Sequence, residues 1–158
     1  MELNLRNSES HRYQKISDDK FRFTNSFGVE YEVYFTTGEY YFPEVYYRKY
    51  LKTFGFNPIS SANFDFEIKT ANTIVLILAD YLNQDDYVVV YVCDESDKKQ
   101  AIRNRLFNRW FNQYNDGSFE KIDLDFEERT FVSAIISKQN PFYIDFKQNF
   151  PNLGEEYK

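Results

Sequence analysis

The sequence predicts an α+β, mixed α/β fold: a single domain built on a central mixed β-sheet flanked by helices. Three observations predict it. Apolar and polar residues alternate near both ends of the chain, over Phe21–Thr36 and Ile122–Phe126, which is the half-buried strand pattern. The run Tyr87–Cys93 is apolar without interruption, as in a strand buried on both faces. Ahead of it, apolar residues from Ala71 to Leu82 repeat at helical spacing.

Composition bounds the function. The chain has 158 residues, enough for one domain with a sizeable core. Its net charge is −6, which opposes broad electrostatic binding of nucleic acid and suits a basic partner. A single cysteine cannot make an internal disulfide, so a reducing, cytoplasmic setting is expected. No apolar run approaches the length of a membrane span. Phe and Tyr occur 17 and 14 times, so the core is expected to be aromatic.

Residues 1–19 are polar and aperiodic, and are expected to be a flexible N-terminal segment with His11 exposed. The domain proper is expected over 20–150. Phe21 and Phe23, then Tyr31, Val33 and Phe35, form the inner face of a hairpin that turns near Gly28. Pro43–Phe54 is expected to be helical: Pro43 suits the first turn, Gly55 the left-handed end, and Tyr47, Tyr50, Leu51 and Phe54 make one stripe. Phe64, Phe66 and Ile68 alternate as a strand. Thr70 then caps a helix that carries Ile74, Val75, Leu78, Tyr81 and Leu82 on one face.

The stretch Asp86–Tyr114 joins the buried strand to an acidic turn and then to a basic, aromatic helix. Asp97 and Gln100 have capping-box spacing, so that helix should start near Lys98 and end at Asn115-Asp116-Gly117. A hairpin, Lys121–Phe126 with Thr130–Ser137, follows. Asn140-Pro141 opens a last helix with Phe142, Phe146 and Phe150 at spacing four. Residues 151–158 are expected to be a polar tail. The order is β-β-α-β-α-β-α-β-β-α, with antiparallel hairpins at the ends and at least one parallel pair between them.

The crevice beyond the carboxyl end of a central strand is the natural ligand position in such sheets. Arg103 falls in the apolar sector of the basic helix, where a guanidinium needs a carboxylate or a bound anion to offset desolvation. Asp94 or Asp97 could supply the carboxylate and, with Trp110, make a structural corner. Alternatively, Arg103 and the helix N-terminus form an anion or partner-carboxylate site. Arg105 and Arg109, beside Asn108 and Asn112, form an exposed face and the first candidate for a partner surface.

Catalytic sets are not found. Cys93 is followed by three acidic residues within four positions, which raises a thiol's pKa, and His11 is far away in sequence. The acidic pairs Asp94/Asp97 and Asp123/Asp125 lack metal-loop spacing, so no metal is expected. No glycine lies between Gly55 and Gly117, which excludes a P-loop or a dinucleotide fingerprint.

Two resemblances follow. From Phe64 to Ser137 the strand, helix, strand, helix and closing hairpin resemble the second half of the GNAT acetyltransferase fold. The segment Asn104-x-x-Phe107-x-x-Trp110-Phe111 is loosely similar to that family's asparagine-to-tyrosine helix. That resemblance implies acetyl-CoA as cofactor, bound by a Q/R-x-x-G-x-G/A loop. Residues 69–74 read KTANTI instead, so the cradle for its pyrophosphate is missing. The run YVCDESDKKQAIRNRLFNRWF is similar to the signature of an uncharacterised family of small Bacteroidota proteins, a domain of unknown function. These readings converge on a small cytoplasmic, non-catalytic binding or regulatory protein with no cofactor. Its partner is expected to be another protein, in an immunity- or antitoxin-like role, or a second copy of the chain. The alternative is an N-acyltransferase with a degenerate acetyl-CoA loop.

Overall fold

A computed structural model describes residues 10–39, 44–59, 67–94, 108, 111–112, 115–127 and 130–156. Its strands are β1 (Tyr13–Ser17), β2 (Lys20–Thr24), β3 (Glu30–Thr37), β4 (Leu51–Pro58), β5 (Val88–Asp94), β6 (Phe119–Glu127) and β7 (Thr130–Ser137). Two helices, α1 (Ile68–Gln84) and α2 (Tyr143–Glu156), complete the described elements, with a 3-10 turn at Arg48–Tyr50. The fold is therefore mixed α+β. The strands make one sheet in the order β1-β2-β3-β4-β5-β7-β6, antiparallel throughout except for the parallel β4–β5 pair.

Strand alternation sorts the apolar residues into two cores. Val89 and Tyr91 of β5 and Ile135 of β7 pack with Ile74, Ile77, Leu78 and Tyr81 of α1. Their sequence neighbours Val88, Val90, Ala134 and Ile136 pack with Phe146 and Phe150 of α2, and with Tyr47 and Leu51. The unbroken apolar run is thus the interior strand β5, with Val88, Val89, Val90 and Tyr91 all buried. The predicted inner face of the β2–β3 hairpin is buried in full: Phe21, Phe23, Tyr31, Val33 and Phe35. Gly28 turns that hairpin at φ +78° and Gly117 precedes β6 at φ +95°, a left-handed conformation that glycine adopts without steric cost.

Four expectations are corrected. The helix over Pro43–Phe54 gives way to the 3-10 turn and β4. From Leu51 onward the inward side chains alternate: Phe54 and Phe56 join the α1 core, while Thr53, Gly55 and Asn57 face the other way. The helical stripe at Tyr47, Tyr50, Leu51 and Phe54 also fits a turn followed by a strand, and pairing with β3 over Lys52–Pro58 decides for the strand. Gly55 is a site of close approach and not a helix end. It pairs with Tyr34, and a Cβ there would lie 2.5 Å from Tyr34 Cζ. The strand expected at Phe64–Lys69 falls mostly outside the described residues, and its last two positions begin α1; Glu67, not Thr70, is the N-cap residue.

The other two corrections concern the ends. Within 1–19, residues 13–17 form edge strand β1, paired with β2 from Tyr13↔Phe23 to Lys15↔Phe21 and, after a register shift at Ile16, at Ser17↔Lys20. His11 is only 10% exposed in its side chain. Within 151–158, α2 continues to Glu156. Asn140 serves the start of α2 as expected: its Oδ1 accepts the Phe142 N–H at 2.7 Å, while its Nδ2 donates to the Asp86 carbonyl at 3.0 Å.

One aromatic residue joins α1 to both strand groups. The Tyr81 ring lies between Phe35, at 3.6 Å between centroids, and Tyr87, at 4.7 Å, nearly parallel to each. Its hydroxyl donates to Asp19 Oδ1 at 2.8 Å in the β1–β2 turn. Asp19 Oδ2 also faces Lys52 Nζ at 3.7 Å, and that ammonium lies over the Tyr87 ring. Burial first, and then the Asp19 carboxylate, push the Tyr81 phenol well above its ordinary pKa, so it stays a donor. Tyr81→Ala should lower stability by about 3–5 kcal/mol through lost packing. Tyr81→Phe, which removes only the hydroxyl, should cost about 1–2 kcal/mol. Urea unfolding of the two variants checks the ratio.

Candidate functional site

The expected partner surface lies largely outside the described residues. Asp97, Arg103, Arg105, Arg109 and Trp110 are among the positions not described. Asp94 ends β5, with its backbone paired to Thr130. Asn108, Phe111 and Asn112 are helical; Asn108 is half-buried, Asn112 is exposed, and Phe111 is buried in the α1 core, while the Asp97–Gln100 capping box lies outside the described residues. The expected arginine constellation is therefore represented only by its two asparagines.

Of the acidic pair Asp123/Asp125, the first has a described side chain. Asp123 accepts a hydrogen bond from the buried Ser133 hydroxyl at 2.5 Å and pairs with Lys121, whose side chain is only 7% exposed. A buried ammonium needs such a partner, so Asp123 serves that lysine. Among the described residues no group of three or more His, Cys, Asp or Glu is placed to hold a metal ion.

A polar cluster forms instead at the head of α1. Glu67 precedes the helix in extended conformation, and its Oε1 accepts from the Ser26 backbone N–H at 3.1 Å and from the Thr70 hydroxyl at 3.0 Å. His11 Nε2 lies 2.5 Å from the same oxygen. The His11 backbone N–H donates to Thr73 Oγ1 at 2.8 Å, and that hydroxyl donates in turn to the Lys69 carbonyl. The His11 ring stacks on Phe23, with centroids 6.0 Å apart. One carboxylate thus ties three separate pieces of chain, the segment before β1, the β2–β3 turn and α1. Burial alone would push Glu67 up. The Ser26 amide, His11 and the Ser26 and Thr70 hydroxyls outweigh it and hold the carboxyl at about 2.

His11 also lines a groove of about 350 Å³, together with Arg12, Gln14, Arg22, Phe23, Thr24 and Glu30. Arg22 gives its Nε to Glu32 at 3.1 Å, and Lys20 faces the same carboxylate at 3.7 Å. Arg12 is exposed. In a chain of net charge −6, a hollow whose charged lining is two arginines and one glutamate is a local reversal of sign.

A third feature is the parting of β4 and β5. Ladder pairing between them is confined to Leu51↔Val88 and Lys52↔Val89, although each strand is paired along its other flank. Beyond that point Phe54 and Tyr91 meet edge to face at 5.3 Å.

None of these three features was legible as a site in the sequence. His11 gave no signal because its partners are 56 and 62 residues away. For Glu67 a weak signal existed: an acidic residue three positions before a threonine, at the head of an apolar helical run.

A family model described as a family of unknown function (DUF6169) matches residues 66–152, more than half of the chain, and the chain belongs to that family. No curated protein matches the chain. The match spans α1, β5, β6, β7 and most of α2, whereas the groove residues 11–30 precede it.

The Glu67 cluster carries a definite pH dependence. The carboxyl is at about 2 in the folded chain and 4.5 without its partners. Its contribution is therefore fully present above about pH 4.5 and lost as pH falls toward 2. The stability difference between the wild type and Glu67→Gln should be on the order of 3 kcal/mol at neutral pH. It should shrink toward zero by about pH 2, as measured by urea unfolding across that range. A difference that does not change with pH would mean that Glu67 acts through packing alone.

Proposed function

From membership of a family with no assigned activity, we propose that this chain is a small binding or regulatory protein without catalysis of its own. It works in the reducing cytoplasm that a lone cysteine fits, on a protein partner, in an immunity- or antitoxin-like role. The observation that carries this reading is the Glu67 carboxylate at the head of α1. A helix N-terminus is the place where a sheet of this kind receives the phosphate of a cofactor. Here an internal anion already stands beside it, held by His11, Ser26 and Thr70. A pyrophosphate brought to the same place would meet a fixed negative charge and no glycine cradle, since glycine is absent between Gly55 and Gly117.

One observation favours a second reading, a GNAT-type N-acyltransferase. α1 connects β4 to its parallel neighbour β5, and the β6–β7 hairpin closes the sheet beside β5. Helical residues at Asn108, Phe111 and Asn112, between β5 and β6 in the chain, would support the strand, helix, strand, helix, hairpin order of that fold's second half. The parted β4 and β5 would leave backbone groups for an extended, amide-bearing cofactor. The strand before α1 is then β4, not the stretch around Phe64, and four strands precede the helix. Order alone does not imply activity, and the filled helix head weighs against it.

Acetyl-CoA separates the two readings. At about 1 mM it should leave the Tm unchanged. A rise of about 5–10 °C, equivalent to a Kd near 10 µM, would establish a cofactor site and overturn the non-catalytic reading.

A further inference from the structure

We propose that the groove beside His11, together with the free flank of β1, receives an extended acidic segment of a partner protein. The inference rests on the binding-protein reading above and gives that partner its chemistry.

Three observations converge on it. First, β1 is an edge strand. One flank pairs with β2, and among the described residues its other flank has no ladder partner. An unpaired strand edge offers a row of backbone donors and acceptors to an incoming strand. Gln14, Lys15, Ile16 and Ser17 are all exposed along it, and Ile16 is one of the few large apolar residues of the described chain left in water.

Second, the groove at the start of this edge is polar and positively charged. Arg12 and Arg22 line it from the segment before β1 and from β2, at the Gln14↔Arg22 register. Arg22 commits only its Nε to Glu32, so most of its five N–H donors stay available, and among the described residues Arg12 has no ion-pair partner. A planar guanidinium matches a carboxylate in two parallel hydrogen bonds. Glu30, which also lines the groove, would repel the same ligand.

Third, the floor of the groove is fixed in advance. His11 is held by Thr73, Glu67 and the Phe23 ring, so Arg12 departs from an anchored backbone. A pre-organised site forfeits less entropy on binding.

The test uses the full chain and two fluorescein-labelled pentapeptides, Glu-Val-Glu-Val-Glu and Gln-Val-Gln-Val-Gln, by fluorescence anisotropy at low salt. The acidic peptide should saturate, and the neutral one should bind at least about tenfold more weakly. Arg12→Gln and Arg22→Gln, both at exposed or half-exposed positions that should leave the Tm in place, should each weaken the acidic peptide about tenfold or more. Glu30→Gln should tighten it. Amide chemical shifts should move along Tyr13–Ser17 on binding. Equal affinity for the two peptides, indifference to both arginine substitutions, or shifts confined to residues away from β1 would each overturn the proposal. An acetyl-CoA titration of the same sample keeps the readings apart. Cofactor binding would remove the non-catalytic reading, whereas failure of the peptide alone would remove only this groove.

Discussion

α1 is buried over most of its circumference, and the rest of the structure follows from the need to hold it there. Eleven of its seventeen residues are buried, among them Thr70, Asn72 and Thr73 beside Ile74, Ile77 and Leu78. A helix covered on nearly all sides has only a narrow solvated face to fix its rotation or its depth. Apolar packing is non-directional and would tolerate sliding. Directional contacts at the two ends remove that freedom. At the head, Glu67 and Thr73 are bonded to Ser26 and His11. Near the foot, Tyr81 is held between two rings and bonded to Asp19.

Both pins reach across the sheet to its N-terminal strands. Asp19 and Ser26 sit in the turns on either side of β2, so this short strand is fixed to α1 at each end. Tyr13 adds a third tie from β1, donating to Asp80 on the exposed side of the helix. The polar pins differ in their response to acid. The Glu67 carboxyl titrates in the acid range, whereas the Tyr81 phenol remains protonated at any ordinary pH. Acid would therefore loosen the head of α1 by protonating Glu67, whereas the Tyr81 hydroxyl remains a donor near the foot. The opposite edge is joined separately, through Glu120 of β6, which accepts from Tyr143 and pairs with Lys147 at 3.3 Å on α2.

Sequence periodicity revealed those elements whose side chains obey one pattern. Val132, Ala134 and Ile136 face α2 while Ile135 faces α1, so β7 could be bounded residue by residue from its alternation and its turns. The segment Tyr47–Phe56 carries two patterns at once. Its first half fits a helical stripe, its second half alternates as Phe54-Gly55-Phe56, and only pairing with β3 chooses between them. The candidate site was legible least of all. His11 is a polar residue in an aperiodic segment, and its three contacts all come from distant parts of the chain. Local reasoning assigns such a residue to solvent because the partners that bury it are tertiary.

Parallel β4 and β5 part after two residue pairs, and α1 begins where the chain returns from β4. An anionic ligand approaching that end needs free amides and no competing charge. Glu67 supplies the competing charge, and His11 keeps it in position. His11 belongs to the segment that also leads into the exposed edge of β1. The contact that closes the helix head is thus the one that sets the backbone of Arg12 beside the groove. A cofactor at the head of α1 would have to displace His11, and with it the anchored start of the edge strand.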